Sequence, residues 1–154
     1  MITGHSKDIL EKIHYGLIDV GIVYNPPNST LYNVETIREE SILLAGAPQK
    51  AKELGSVKSE SLKGSHFIHY NWGTDFTEWF ETEIGNHESM RFRVDHTRVE
   101  LRLLLKGEGI GFMLESIIEK YAGQGLISRI SFNPGTIYRR EKYIWYAVEI
   151  KKKG

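Results

Sequence analysis

Four consecutive residues, set between a short apolar segment and a helical pattern, carry groups suited to hold a small ligand. Asn71, Trp72, Gly73 and Thr74 supply an amide, an aromatic ring, a flexible backbone and a hydroxyl, and Thr97 stands at the start of a second helical pattern. Free amides and a partial positive charge gather at helix N-termini, which suits a carboxylate or a phosphate. If the strands before them are neighbours, both helix starts open onto one crevice. A plain N-cap role for each threonine is the alternative.

The residues that would perform catalysis or bind a metal are missing or unsuitably spaced. The chain has no cysteine, and none of its six histidines pairs at i and i+4 on a predicted helix with a carboxylate partner. His66 and His69 lie three apart on a predicted strand, so they point to opposite faces and are expected to be ordinary strand surface residues. No serine lies in a G-x-S-x-G elbow. We therefore expect no enzyme activity, no catalytic residue, no metal and no cofactor.

Three alternating glycines, Gly107, Gly109 and Gly111, suggest a dinucleotide-binding loop at first sight. In such a loop the glycines follow a strand and open a helix, whereas here they precede a predicted strand. The order is therefore reversed. We expect these glycines to end a leucine-rich helix and to let the next strand pack closely.

Charge and hydropathy narrow the classes of partner. Lysine and arginine total 20 of the 154 residues and aspartate and glutamate also total 20, so no bulk positive field exists to hold a nucleic-acid backbone. No apolar run approaches the roughly 20 residues of a membrane helix, and the first residues do not form a signal peptide. We expect a cytoplasmic chain without a membrane partner.

The hydrophobic pattern alternates between helical and extended segments, which predicts an α/β fold. Ser6 is expected to cap a helix that ends at Gly16, and Thr97 to cap the leucine-rich helix. The remaining predictions are a buried strand over 18–23, extended stretches over 31–37 and 42–47, a strand with one wet face over 90–95, strands over 66–70, 110–114, 126–132 and 143–150, and helices over 49–54 and 115–121 and after residue 74.

Four phrases, in order, resemble the effector-binding domain of LysR-type transcriptional regulators. They are Leu17–Val23 for "G-x-L-D-L-x-I-V", Ser41–Ala45 for "E-x-L-x-L-V", Ser61–Ile68 for "D-L-x-x-x-P-F-I" and Leu103–Leu114 for "V-x-x-G-x-G-I-x-x-L-P". The resemblance implies the type 2 periplasmic-binding-protein-like fold, with two Rossmann-like lobes that each contain a central mixed sheet. Residues 1–65 would form an incomplete first lobe, 66–150 the second lobe and 151–154 a basic tail.

The resemblance also implies a function and a set of ligand contacts. The chain would be a small-molecule effector-binding and oligomerisation domain, with a small anionic metabolite as effector and a homo-oligomer, dimer or higher, as its assembly. Asn71, Trp72, Gly73, Thr74 and Thr97 would face the ligand from the second lobe. Tyr24 and Asn25 would face it from the first lobe, and Met113 would close the floor.

The family's winged helix-turn-helix has no counterpart among these residues, so contact with DNA is expected only through a segment outside them. Two alternatives remain open on the same fold. One is the solute-binding protein of a transporter, and the other is a small enzyme.

Overall fold

The computed structural model describes residues 5–23, 30–58, 62, 67–85, 90–133 and 142–152. Tyr24 and Asn25 lie outside these ranges. The chain divides into two compact units, one of residues 1–40 and 142–154 and the other of residues 41–141. The sequence placed the lobe boundary near residue 65 instead, and that assignment into lobes stays a prediction. Within the described residues, no helix is both long enough and apolar enough to cross a bilayer.

In the first unit one helix packs on a small antiparallel sheet. Helix α1 (Ser6–His14) precedes strand β1 (Val20–Val23), which pairs with β9 (Lys142–Ile150). Strand β2 (Tyr32–Gly46) supplies its first residues to this unit and its last residues to the other. Ile9 and Ile13 of α1 are buried against Val23 and Val148, which forms the core of the unit.

The two ends of α1 differ in how well they were predicted. The N-cap is His5 and Ser6 is the first helical residue, so the prediction that Ser6 caps the helix is wrong. At the other end, Gly16 has φ 69° and the amide of Leu17 donates to the carbonyl of Lys12 at 2.8 Å. This pattern is a Schellman motif, and it confirms the glycine stop.

Strand β1 is shorter and less buried than the sequence indicated. It begins at Val20, and its exposure alternates, with Val20 and Ile22 exposed and Gly21 and Val23 buried. The prediction of a fully buried strand is wrong because α1 covers only one face of the sheet. Gly21 lies on that face, where an added Cβ would approach Cδ1 of Ile13 to 2.7 Å. Helix and strand are therefore in close contact at this glycine.

The second unit contains short parallel and antiparallel pairs of strands, with helices packed on them. Its elements are α2 (Pro48–Leu54), β3 (Val57–Lys58), β4 (Ile68–Tyr70), α3 (Thr74–Glu83), β5 (Phe92–Val94), α4 (Thr97–Leu105), β6 (Ile110–Leu114), α5 (Glu115–Ala122), β7 (Ser128–Arg129) and β8 (Phe132–Asn133). Strands β4 and β5 pair in parallel, as do β3 and β8, while β2 pairs antiparallel with β6 and β7.

Strand β4 is packed between two helices. The ring of His69 lies 4.7 Å from that of Phe80 on α3, and Phe67 meets the same ring at 5.3 Å. Phe112 of β6 stacks on Phe67 at 6.2 Å, which extends the aromatic core. On the other side α4 approaches β6 at Gly111, where an added Cβ would lie 2.8 Å from the Glu100 carboxyl.

The segment with three glycines behaves as predicted. Gly107 has φ 71°, and the amide of Glu108 donates to the carbonyl of Leu103 at 3.0 Å, so the leucine-rich helix ends there in a Schellman motif. Gly111 lies on β6, so close to α4 and to the carbonyl of Ile68 that no larger residue fits without a shift. The dinucleotide interpretation is not needed to explain these glycines.

Candidate functional site

A cavity of about 420 Å³ opens at the carboxyl ends of β4 and β5. The two strands run parallel, with Tyr70 opposite Val94, so the loops that follow them leave the sheet side by side. Crevices of this kind are the usual ligand sites of open α/β sheets. Its lining residues are His69, Asn71, Thr77, Arg93, Val94 and Asp95.

Asn71 fixes the loop between β4 and α3. Its Oδ1 accepts the amide hydrogen of Gly73 at 2.8 Å and the hydroxyl hydrogen of Thr77 at 3.1 Å. Gly73 has φ 122°, a conformation that only glycine adopts without strain. The turn therefore occupies the oxygen of the Asn71 side chain, and its two amide hydrogens remain available to a ligand acceptor.

Arg93 and Asp95 bring opposite charges to the cavity. Both are exposed, and they lie two residues apart at the end of β5. In the described part of the chain the structure records ion pairs for Arg38 and Arg91 but none for Arg93 or Asp95. A guanidinium in this state can donate two parallel hydrogen bonds to a carboxylate or a phosphate.

The inner wall of the cavity is aromatic and closely packed. His69 is 5% exposed, and its ring lies 4.7 Å from that of Phe80 and 6.3 Å from that of Phe76. We interpreted His69 from the sequence as an ordinary strand surface residue, which is wrong because α3 covers that face of β4. Val94 adds an apolar contact, so the cavity combines an apolar wall with a charged rim.

A second pair of titratable groups lies behind the cavity. Glu100 of α4 is fully buried, and among the described residues neither of its carboxyl oxygens has a hydrogen-bond partner. Burial raises the pKa of Glu100 well above its ordinary value. The pKa of Tyr70 is also raised, first by burial and then by the nearby Glu100 and Asp95 carboxylates. Two carboxyl groups therefore lie near Tyr70 at this end of β4.

The sequence matches the LysR substrate binding domain family over residues 1–148. The chain belongs to this family. The match covers nearly the whole sequence and confirms the resemblance that the four phrases suggested. No curated protein sequence matches the chain.

Solved LysR-type regulators share the fold of this LysR domain. The CcmR regulatory domain of Synechocystis in complex with 2-PG is 13% identical, with a TM-score of 0.72 over 97% of this chain and 72% of that one. A sulfate-bound variant of the OxyR2 regulatory domain from Vibrio vulnificus is 13% identical, with a TM-score of 0.72 over 98% and 72%. Full-length CbnR complexed with its target DNA is 14% identical, with a TM-score of 0.70 over 97% and 52%.

These comparisons confirm the predicted fold class, an α/β fold of the periplasmic-binding-protein-like type. They also confirm the predicted function in its general form, since the family comprises the effector-binding domains of transcriptional regulators. The two alternatives, a transporter's solute-binding protein and a small enzyme, are not favoured.

Four of the predicted ligand residues of the LysR domain lie at or near the starts of α3 and α4. Asn71 lines the cavity, and Gly73 and Thr74 follow it at the start of α3. Thr97 is the first residue of α4, after an N-cap at His96, so the expected cap at Thr97 is wrong. Neither Thr74 nor Thr97 is among the residues that line the cavity.

Trp72 and Met113 are core residues of the LysR domain. Trp72 is 4% exposed, and its indole Nε1 donates to the carbonyl of Phe112 at 3.0 Å. Met113 is 1% exposed on β6. The structure therefore uses the Trp72 side chain to tie the β4–α3 loop to β6.

Five of the cavity residues were not among the predicted contacts. For four of them, Thr77, Arg93, Val94 and Asp95, the sequence predicts only a place in a helix or a strand. The alternation around Arg93 did indicate a strand with one wet face, but its pairing with β4 was not predicted. That parallel register places Arg93 directly opposite His69. Among the described residues no cluster of side chains could hold a metal ion.

Proposed function

We propose that this LysR domain binds a small anionic metabolite in the cavity at the ends of β4 and β5. The proposal rests on Arg93, which lines the cavity. Its guanidinium forms no ion pair in the described part of the chain. The Asn71 amide hydrogens and the start of α3 would add donors to the same anion. The sulfate in the OxyR2 domain and 2-PG in the CcmR domain are consistent with this use of the fold.

The wider set of predicted contacts belongs to the same proposal. Gly73 and Thr74 would contribute backbone amides, and Thr97 would act from the start of α4. Tyr24 and Asn25 would contact the ligand from the first lobe. Trp72 and Met113 would act from beneath by holding the loop and strand in place.

Effector binding would in turn shift the equilibrium of a transcriptional regulator between two conformations. We propose that the domain acts in the cytoplasm as part of a homo-oligomer, has no enzyme activity, and reaches DNA through a helix-turn-helix segment outside the residues described. Full-length CbnR, which shares this fold, is complexed with its target DNA, and this supports the proposed link to DNA.

The test is thermal unfolding and calorimetric titration with sulfate, inorganic phosphate, oxalate, malonate, succinate and citrate. At least one should raise the melting temperature by about 5–10 °C when its concentration reaches a hundred times its Kd. Arg93→Gln should weaken that ligand about 10- to 100-fold, the equivalent of one charge-assisted interaction. Failure of every one of these anions, and of every amino acid named in the next subsection, to bind would contradict the proposal.

Arg91→Gln is the matched control, because Arg91 lies two residues earlier and pairs with Glu108 at 3.5 Å instead of lining the cavity. The affinity of the Arg91→Gln variant for the anion should stay within about twofold of wild type, since exposed ion pairs contribute little. Equal losses in the two variants would mean that general charge, and not the cavity, attracts the anion.

A further inference from the structure

The rim of the cavity carries one cationic and one anionic side chain. These two charges define the ligand more narrowly than a positive charge alone would. Arg93 and Asp95 both line the cavity and both are exposed. Neither forms an ion pair in the described part of the chain, with the other or with a third residue. Two residues of extended chain span roughly 6.6 Å, so the two charges face one small volume.

A ligand with only negative groups would leave Asp95 uncompensated. Its carboxylate would repel the anion that Arg93 attracts, and burial of the rim under a ligand would strengthen that repulsion. We infer that the effector is a zwitterion of the amino-acid class, whose carboxylate binds Arg93 and whose ammonium group binds Asp95. This inference rests on the proposed function and narrows its effector from anions in general to molecules that carry both charges.

The surroundings of Asp95 favour a cationic group at that end. Tyr70 lies close enough to the Asp95 and Glu100 carboxylates for both to raise its pKa, in addition to the effect of burial. The Asp95 carboxylate therefore acts on this end of β4, whereas burial and the raised pKa of Glu100 favour the neutral form of that side chain. The Asn71 side chain lines the same cavity, with amide hydrogens that suit a carboxylate oxygen.

The volume of the cavity suits a small ligand. Its volume of about 420 Å³ lies near the lower end of the range for small-molecule sites. His69 closes the inner wall and is held against Phe76 and Phe80. Val94 offers a contact for a short apolar side chain. A single amino acid or a derivative of similar size fits these limits.

The experiment compares matched ligands by calorimetric titration of the full 154-residue chain. Each common L-amino acid is tested together with the 2-oxo acid that keeps its side chain and carboxylate, and with the amine that lacks the carboxylate. At least one amino acid should bind tenfold or more tightly than both of its analogues. If a 2-oxo acid or another simple anion binds as tightly, the inference fails while the proposed anion site stands. If neither amino acids nor anions bind, the proposed function fails as well.

Variants of the two charged residues separate their roles. Asp95→Asn should weaken the amino acid at least tenfold and leave the 2-oxo acid unchanged or tighter, whereas Arg93→Gln should weaken both. Asp19→Asn, an exposed aspartate in the other unit, is the control and should change neither. Asp95→Ser provides a second test if the asparagine variant is poorly folded. An unchanged preference for the amino acid in both Asp95 variants would overturn the inference.

Discussion

At the scale of single residues, the site depends on charges placed in two different settings. Arg93 and Asp95 are exposed at the cavity and are available to a ligand. Glu100 is buried in the core, and neither of its carboxyl oxygens has a hydrogen-bond partner in the part of the chain that the structure describes. A buried carboxyl in this state is a source of instability, because its charged form is poorly solvated.

Glu100→Gln should stabilise the domain at pH 8 and have little effect at pH 4. The folded chain binds a proton on Glu100 more tightly than the unfolded chain, since burial raises its pKa. The free energy of unfolding therefore falls as the pH rises from the ordinary glutamate pKa to the raised one, by about 1.4 kcal/mol for each unit between them. Glutamine has no such proton to lose, so the variant avoids this fall in the free energy of unfolding. Urea unfolding at pH 4 and pH 8 measures the difference between the variant and the wild type.

Glu119→Gln is the control for this exchange, because Glu119 is exposed on α5. Its effect on the free energy of unfolding should stay within about 0.5 kcal/mol at both pH values. The range from pH 4 to pH 8 keeps Tyr70 neutral, since its raised pKa lies higher still. A Glu100→Gln variant that is destabilised equally at pH 4 and pH 8 would contradict the account.

At the scale of elements, the loop between β4 and α3 connects the core to the cavity. Asn71 accepts two hydrogen bonds within the loop, and Trp72 donates one to β6. Gly73 makes the turn possible through its φ of 122°. The loop is therefore held in one conformation before any ligand arrives.

Gly73→Ala should destabilise the domain by about 1–3 kcal/mol and weaken ligand binding. A Cβ at Gly73 meets no atom within 4 Å, so the expected loss comes from the backbone conformation and not from a clash. Gly123→Ala is the control, since Gly123 has φ −59° and its added Cβ would make only ordinary contacts. Urea unfolding of both variants measures the difference. Equal stabilities would show that the loop can relax without strain.

Element order was the part of the fold most open to prediction from sequence. The leucine-rich helix ends at Gly107 as predicted, and α2 begins with Pro48, which suits the first turn of a helix. Two extended stretches were predicted where the structure has the single strand β2, because polar residues in its middle hide the continuity. The predicted strand over 126–132 is reduced to β7 and β8.

The site was less predictable than the elements, for a reason of geometry. Asn71 was found because a polar amide follows a strand and precedes a helix. Arg93 and Asp95 could be found only by knowing that β5 pairs in parallel with β4, and pairing between distant segments leaves no local pattern. Trp72 was expected to form a ligand wall, but nothing in the local sequence shows that its indole donates to Phe112.

At the scale of the whole molecule, the first unit carries exposed apolar side chains on β1. Val20 and Ile22 are 55% and 54% exposed, on the face of the strand away from α1. Within the described residues, β1 pairs only with β9 and stands at the end of its row of strands. An apolar strand at the end of a sheet is prone to associate with another chain.

We therefore expect the chain to self-associate through this strand. Val20→Lys combined with Ile22→Lys should shift the chain toward monomer, because lysine opposes both burial and strand pairing. Val99→Lys is the control, because it places the same charged residue at an exposed valine of α4. It should leave the association unchanged. Light scattering over a range of concentrations measures the mass. A wild-type chain that stays monomeric at high concentration would contradict this prediction.

The most direct test of the central claim is a two-dimensional NMR titration of the 15N-labelled chain with the amino acids and anions named above. With a ligand that binds, we expect saturable chemical-shift changes in the amides of Asn71, Gly73, Thr77, Arg93 and Asp95. Shifts confined to other parts of the chain, or none with any ligand, would contradict the claim that this cavity is the effector site.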